Sequence, residues 1–372
     1  MRTLLTLNTG SSSVKFRLFG LAAELPLLAG GKVMDIGGHA VFSAATAGGD
    51  AVPVPLAADS DHAGAVDAVL AWLEAEGLTV AAMSAAIHRI VHGGERYADP
   101  VRLDAAVMDE LRGLASLAPL HQAHNLAAVD ILGERHPDLP QYGCFDTAFH
   151  ARHDPLHHLY ALPADMRERG VVRYGFHGLS YAWIARRLRD DFPHLAEGRV
   201  VAAHLGNGAS LCAMRGGRSI DTTMGMTALD GLPMGTRSGA IDPGAVLYMQ
   251  RELGYSLDAV EDLLYNRSGL KGLSGISNDV KTLSDSNAPD AAFALRYFAL
   301  RTAQHIGYMA VSIGGMDGLI FTGGIGENAA SVRAEILDHL AFLPPFEHHV
   351  IAANEERGMA LEIVDRYGDV LT

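Results

Sequence analysis

The sequence predicts an α/β protein built as two related domains, and three observations carry that prediction. A strand, a polar glycine turn and a returning strand occur near the start, at 4–7, 8–13 and 14–19, and again in the second half, at 200–205, 206–210 and 211–214. Apolar strand-like runs alternate with stretches of helical periodicity, the pattern of sheets covered by helices. The chain has 372 residues, enough for two cores. The repeat is weak as sequence identity. As architecture it gives two domains that each offer a glycine hairpin to a shared cleft.

In chain order, the first hairpin carries Asn8-Thr9-Gly10-Ser11-Ser12-Ser13 between its strands. Residues 44–60, rich in Ala, Gly and Pro, read as loop with a short strand. A helix is expected from Asp61, because Val66, Val69, Leu70 and Leu73 fall at i, i+3, i+4 and i+7 and Gly77 closes the run. A buried strand over 85–91 delivers His88, Arg89 and His92 to its end. Helices follow near 104–116 and 123–135, and a strand is expected over 142–149. After the second hairpin, helices are expected at 243–254, 257–266 and 290–312. A strand at 319–321, a turn over 322–328 and a helix over 329–340 complete the pattern.

Composition removes several function classes. A net charge of −14 argues against a general nucleic-acid binder, which needs a basic footprint. It leaves phosphate ligands open, since a few local cations and backbone N–H groups hold those. Cys144 and Cys212 both lie in apolar runs and read as small buried hydrophobes of a reducing compartment. No apolar run is long enough to span a membrane, and the N-terminus lacks a signal peptide's apolar stretch and cleavage site. The expected location is the cytoplasm, with no membrane partner.

Phosphates need donors close to their oxygens, and glycine lets backbone N–H groups approach. Each glycine turn alone is equally a tight hairpin or a helix start. Three of them, each after a strand, point to phosphate binding. No G-x-x-x-x-G-K-[ST] motif is present: the Gly10–Lys15 stretch has the lysine but neither the second glycine nor the following Ser/Thr. Gly324-Ile325-Gly326-Glu327-Asn328-Ala329 matches the dinucleotide fingerprint, but only 43 residues follow Ala329, too few for the rest of that fold. It reads instead as a nucleotide site at a helix start.

Four side chains stand out. Arg89, at a strand end before Gly93-Gly94, either grips a carboxylate or phosphate or makes a structural ion pair. Asp146 either orients a nucleophile or caps a helix. His177 lies between Gly175 and Gly178, and Arg237 between Gly235 and Gly239 in a long loop, both placed for close approach. His153, His157 and His158, and His121 with His124, have spacings that suit a metal. With no H-E-x-x-H or Cys-rich partner they read as solvated or packing histidines.

Seven segments together resemble the acetate/propionate kinase family, in the family's order and over nearly the whole chain. They are Leu7-Asn8-Thr9-Gly10-Ser11-Ser12-Ser13-Val14-Lys15, His88-Arg89-Ile90-Val91-His92-Gly93-Gly94, Phe145-Asp146-Thr147-Ala148-Phe149-His150, Tyr174-Gly175-Phe176-His177-Gly178, His204-Leu205-Gly206-Asn207-Gly208-Ala209-Ser210, Met234-Gly235-Thr236-Arg237-Ser238-Gly239 and Phe321-Thr322-Gly323-Gly324-Ile325-Gly326-Glu327-Asn328. The resemblance implies duplicated domains of the actin, Hsp70 and sugar-kinase (ribonuclease H-like) fold around an ATP cleft. Residues 1–150 with 356–372 would form an acid-binding domain, and 151–355 a nucleotide-binding and dimerisation domain.

The implied reaction is reversible phosphoryl transfer from Mg-ATP to acetate, giving acetyl phosphate and ADP, in a homodimer. Propionate is a further candidate acceptor, and Mn2+ an alternative to Mg2+. By resemblance Arg89 binds the carboxylate, Asp146 is the active-site acid group, and His177 and Arg237 stabilise the transferring group. Phosphates fall to His204, Leu205, Gly206, Asn207 and Gly208, and the nucleoside to Asp279, Val280, Lys281, Gly324, Ile325, Gly326, Glu327 and Asn328. Lys15 lies near the nucleotide, Asn8 and Glu355 support the metal, and Val91, Leu120, Phe176 and Ala228 line the pocket for the acid's methyl group.

The chemistry agrees: in-line transfer needs positioning and charge neutralisation, and a carboxylate is already nucleophilic at pH 7. Asp146 is therefore an orienting or metal-shell group rather than a proton acceptor. Four departures from the family stand out: Lys281 for an arginine, Gln122-Ala123-His124-Asn125 for Asn-Pro-Pro-Asn, Ala228-Leu229-Asp230-Gly231 for Pro-Leu-Glu-Gly, and a shorter stretch between Asn328 and Glu355. The alternative of another class is a non-enzymatic ATP switch of the actin/Hsp70 type, which does not need Arg89, His177 and Arg237 together. A sugar kinase is disfavoured by the apolar Val91, Leu120 and Phe176.

Overall fold

The computed structural model describes residues 1–118 and 121–371. The chain forms two compact units, Met1–Ala151 with Asn354–Thr372 (unit 1) and Arg152–Ala353 (unit 2).

Unit 1 is built on a sheet of order β5-β4-β3-β2-β1-β6-β8-β7. Its strands are β1 (Thr3–Thr9), β2 (Ser13–Gly20), β3 (Leu27–Met34), β4 (Val41–Thr46), β5 (Val52–Val54), β6 (Met83–Ile90), β7 (Val101–Arg102) and β8 (Gln141–Phe145). The first five form an antiparallel meander; β1 then pairs in parallel with β6, and β6 with β8. β1 is buried along its whole length, so it takes the centre. β2 alternates: Val14, Phe16 and Leu18 point into the core while Lys15 is exposed.

Helix α1 (His62–Ala75) covers that core. Asp61 caps it by accepting from the Gly64 N–H, and Val66, Val69, Leu70 and Leu73 are buried at the expected spacing. Trp72 meets Phe16 and Phe42 edge-on, with centroids 5.8 and 6.4 Å apart. Helices α2 (Ala105–Gly113) and α3 (Gln122–Arg135) bury Met108, Leu111, Leu126 and Val129 around Ile90 and Phe145. The last helix, Glu355–Leu371, returns to pack on β1, β6 and β2.

Unit 2 has a sheet of order β11-β10-β9-β12-β13, from β9 (Arg199–Leu205), β10 (Ala209–Arg215), β11 (Arg218–Thr222), β12 (Gly318–Thr322) and β13 (Glu347–Val350). This repeats the order β3-β2-β1-β6-β8 of unit 1. In both, an antiparallel hairpin leads and its first strand pairs in parallel with a later strand. The duplication expected from the sequence is thus present as topology. The long helix Pro289–Ile313 buries Ala294, Phe298, Ile306 and Ile313 against this sheet.

Several local expectations need correction. The strand expected over 142–149 stops at Phe145, where pairing with β6 ends. Asp146 and Thr147 turn away, their side chains taken by Arg89 and the Gly93 N–H. The turn expected over 322–328 is a short helix, Gly323–Asn328. Gly323 enters it at φ +77°, and a Cβ there would lie 2.7 Å from the Leu205 carbonyl oxygen. Elements not expected from the sequence include β3, whose run is broken by Gly30-Gly31, β11, β13, the helix Gly178–Asp191 and the C-terminal helix.

Cys144 and Cys212 are buried free thiols. Burial pushes Cys212 up to about 12 and Cys144 well above its ordinary value, so both are inert. Among the described residues no helix is long and apolar enough to cross a membrane.

Candidate active site

In unit 1 the end of β6 presents Arg89 to Asp146, which follows β8. Arg89 Nε donates to Oδ1 of Asp146 at 2.9 Å and Nη2 donates to Oδ2 at 2.6 Å, a two-pronged pair. Nη1 donates to Asn8 Oδ1 at 3.1 Å, from the end of β1. The Arg89 side chain is 23% exposed and that of Asp146 only 3%. A ligand therefore reaches the arginine's outer edge and not the carboxylate. Burial opposes the arginine's charge, but the Asp146 carboxylate outweighs it and raises the pKa, so Arg89 stays a cation. Both Asp146 oxygens face that cation, which makes it a holder of Arg89 rather than a base.

Glu355 opens the C-terminal helix of the same unit. Loss of solvent pushes its carboxyl up to about 7; Arg89 pulls the other way, while Asp146 and Glu356 reinforce the rise. A carboxyl crowded by two others is relieved by a divalent cation, and both it and the Asn8 oxygen are hard donors of the type Mg2+ takes, although among the described residues no group of three or more His, Cys, Asp or Glu side chains could hold a metal. Lys15, exposed on β2, acts on the same carboxyl from a distance.

In unit 2 the β9–β10 turn is closed by Gly206 N–H donating to the Gly208 carbonyl at 2.9 Å. A Cβ on Gly208 would lie 3.3 Å from His177 Nε2 and 3.7 Å from Arg237 Nη1. One on Gly206 would lie 3.9 Å from His204 Nε2 and 4.0 Å from the Gly324 N–H nitrogen. The missing side chains leave a small space edged by two imidazoles, a guanidinium and a backbone donor, a setting for phosphate oxygens. The His177 and His204 rings stack, centroids 4.4 Å apart.

Their other nitrogens are fixed. His177 Nδ1 pairs with Ser210 Oγ at 2.9 Å, and His204 Nδ1 with Ser180 Oγ at 2.8 Å; Tyr181 braces Ser210 at 2.5 Å. His177 sits at φ +58°, a left-handed conformation that costs about 1 kcal/mol or more in a non-glycine residue and persists at functional sites. Arg237 Nη1 donates to the Ala228 carbonyl at 3.1 Å. Ser210 belongs to the polar turn read from sequence, whereas the supporting Ser180 and Tyr181 were not singled out, although Ser180 stands three residues after His177 at the start of a helix, a signal in itself.

A pocket of about 660 Å³ opens in unit 2. Gly206, Asn207, Asp279, Val280, Lys281, Gly324, Ile325 and Asn328 line it, together with Asn278, Ser284 and Ser331, which the sequence reading missed. Asp279 caps the helix Val280–Ser284: hydrogen bonds from the Thr282 N–H and hydroxyl hold its carboxyl below the usual range. Glu327 faces inward, accepting from Gly323 N–H at 3.1 Å and Ala353 N–H at 2.9 Å, and Gly326 is buried. These two, with His204, Leu205 and Gly208, stand behind or beside the pocket wall rather than on it.

Val91 is buried in unit 1, Phe176 is buried in unit 2, and Ala228 is partly exposed in unit 2. Leu120 lies outside the described residues. His153 pairs with Ser219 at 2.6 Å and His157 with Asp221 at 3.3 Å.

The family model described as the acetokinase family matches residues 3–359. The chain is 47% identical over 350 residues to an acetate kinase of Nitrobacter hamburgensis, covering 92% of this chain and 86% of that one. It is 46% identical to an acetate kinase of Rhodopseudomonas palustris, covering 91% and 86%. Among solved structures, a propionate kinase from Francisella tularensis superposes with a TM-score of 0.91 at 32% identity, covering 97% of this chain and 99% of that one. The Porphyromonas gingivalis acetate kinase superposes at 0.89 with 30% identity, covering 98% and 99%.

Proposed function

The chain belongs to the acetokinase family, and on that premise we propose that it transfers the γ-phosphoryl group of ATP to the carboxylate of acetate, reversibly, giving acetyl phosphate and ADP. The observation that carries this reading is the grouping of His177, His204 and Arg237 around the space that Gly206 and Gly208 leave open, beside a pocket of nucleotide size. A carboxylate oxygen attacks the γ-phosphorus, a P–O bond forms, and the bond to the β-phosphate oxygen breaks with ADP as the leaving group. His177 and Arg237 hold the charge that develops on the equatorial oxygens, at a site fixed before the reaction begins. Arg89, oriented by Asp146 and Asn8, presents its outer edge to the acceptor carboxylate. No proton need be removed from the nucleophile, which suits an Asp146 that is fully engaged.

Asn8 and Glu355 would hold Mg2+, or Mn2+ in its place; the metal would neutralise phosphate charge. The acid's alkyl group would meet Val91, Leu120, Phe176 and Ala228, and propionate is proposed as a second acceptor. Exposed apolar side chains of unit 2, among them Leu247, Tyr248, Leu257, Tyr308 and Val311, support a homodimer. Light scattering at the monomer mass would count against that pairing. A cytoplasmic location fits the two buried free thiols.

The deciding experiment traps acyl phosphate as the hydroxamate from the purified chain with acetate, ATP and Mg2+. Product that depends on all three supports the kinase reading. ATP binding without product, from acetate or propionate, would favour a nucleotide-driven switch instead.

A further inference from the structure

We infer that His62 and Asn125 are positioning residues, which lock the β1–β2 turn to the end of the Arg89 strand. The turn folds on itself, Gly10 N–H donating to the Ser13 carbonyl at 2.7 Å. Its two preceding carbonyls are then gripped by side chains. Asn125 Nδ2 donates to the Thr9 oxygen, and His62 Nε2 donates to the Gly10 oxygen at 2.8 Å. A carbonyl only accepts, so Nε2 of His62 carries the hydrogen.

Neither grip is isolated. Asn125 Oδ1 accepts from the Val91 N–H at 2.9 Å, two residues past Arg89. Gln122 accepts from His92 N–H at 3.2 Å and donates back to the His92 carbonyl at 3.0 Å. The His62 ring stacks on His124, centroids 4.8 Å apart and planes 22° apart. The start of α3 thus touches both the turn and the strand end. It is also the Gln122-Ala123-His124-Asn125 segment in which the chain departs from its family, and the departure supplies the ring under His62. Gln122 and Asn125 are almost wholly buried, and a buried amide with its bonds made is rigid.

What the lock controls is Asn8. It directly precedes Thr9 and Gly10 at the end of β1, where the turn begins, and its side-chain oxygen accepts from Arg89 Nη1. His62 and Asn125 fix the turn, the turn fixes Asn8, and Asn8 with Asp146 fixes the direction of the guanidinium fork. A displacement of about 1 Å at a group that orients a reacting atom costs up to a hundredfold in rate, and Arg89 meets the acceptor carboxylate, so the lock acts through kcat/KM for acetate.

This inference rests on the kinase reading for its kinetic arm alone. The test uses the full chain as wild type, His62→Phe, His62→Gln and His62→Ala. Phenylalanine keeps the ring on His124 without the donor; glutamine keeps a donor at similar reach without the ring; alanine removes both. The readouts are kcat/KM for acetate, KM for ATP, and hydrogen exchange of the amides over residues 8–13. Expected is a fall of about tenfold in kcat/KM for acetate in Phe and Ala, with KM for ATP within about twofold. Glutamine should come within about twofold of wild type, and the turn amides should exchange faster in Phe and Ala only. Wild-type kcat/KM and exchange in Phe and Ala would overturn the lock, as would a glutamine variant no better than alanine. If wild type makes no acyl phosphate the kinase reading fails by itself, and the exchange arm still decides the lock.

Discussion

The two hairpin turns share a grammar and differ in what surrounds them. In unit 1 the turn after β1 is gripped from outside by His62 and Asn125, and the charged group it serves, Arg89, is already paired with Asp146. In unit 2 the turn after β9 is pared down to Gly206 and Gly208, and imidazoles and a guanidinium approach the space that side chains would fill. One turn is held so that a neighbour stays in place; the other leaves open a space that, on the proposed reading, phosphate oxygens enter. Local sequence made both look alike, and only the tertiary neighbours distinguish a positioning element from a binding surface.

The largest effects should separate Arg237 from Arg89. Arg237 Nη1 donates to the Ala228 carbonyl and the Met234 sulfur, neither of which is a buried charge that its loss would strand, so Arg237→Ala should lower kcat by about 10²–10³ with little change in melting temperature. Arg89→Ala should also lower activity by orders of magnitude, but it strands Asp146, a carboxylate 3% exposed, without its cation. Breaking such a pair costs about 3–5 kcal/mol, so this variant should be destabilised as well, and Asp146→Asn in the same chain should restore much of the stability but not the activity. Equal melting temperatures for Arg89→Ala and Arg237→Ala would erase the distinction.

A cleaner contrast comes from the glycines. A Cβ at position 208 presses on His177 Nε2 at 3.3 Å, whereas one at position 10 meets Ser13 Oγ at 3.2 Å, a side chain able to rotate away, and the Ser13 carbonyl oxygen at an ordinary 3.8 Å. Gly208→Ala should reduce kcat by about tenfold and Gly10→Ala by no more than about twofold. Similar losses in both would show that the two turns do the same job.

Much of this layout was legible in the sequence because it is local. A glycine turn between two apolar runs, a cap at Asp61 and a period of 3.6 in α1 are all decided by neighbours in the chain. The Arg89–Asp146 pair is decided by residues 57 positions apart, and the sequence left open whether Arg89 bound a ligand or an acid. β3 was hidden by Gly30-Gly31. Gly31 is required there because a Cβ would lie 2.6 Å from the Ser43 carbonyl oxygen of the adjacent strand. Ser210 stands in a family segment, but its support of His177, like those of Ser180 and Tyr181, emerges only when the hairpin strands are placed beside the Gly178–Asp191 helix.

The pH dependence sharpens the comparison from the unit 1 side. Glu355 has its carboxyl pushed up to about 7, above the ordinary unfolded value. The folded state therefore binds this proton more tightly, so the contribution of Glu355 is most favourable below the ordinary value. It declines as pH rises towards 7 and is level above that. A divalent cation reverses the preference. Mg2+ should raise the melting temperature more at pH 7.5 than at pH 5.5, and its binding near pH 6.5 should release protons. Glu355→Gln should flatten both responses; an unchanged Mg2+ response in that variant would remove Glu355 from the metal site.

The smallest effect belongs to Ala228 in unit 2. Its carbonyl holds Arg237 Nη1, so the backbone here is tied to the charged group while the methyl side chain is partly exposed. The family carries a proline at this place, and the alanine lacks two of its ring carbons. One methylene changes discrimination by about 1–3 kcal/mol at most, and burying one is worth about 0.8 kcal/mol. The native chain should therefore accept propionate nearly as well as acetate, and Ala228→Pro should shift kcat/KM towards acetate by about three- to tenfold. The overall rate with acetate should hold, because the carbonyl that positions Arg237 is retained. A loss of acetate turnover in the proline variant would instead show that residue 228 acts through the guanidinium, not through the acid's chain. An unchanged acetate-to-propionate ratio at full turnover would show that it touches neither, and the selectivity would then have to come from Val91 or Phe176.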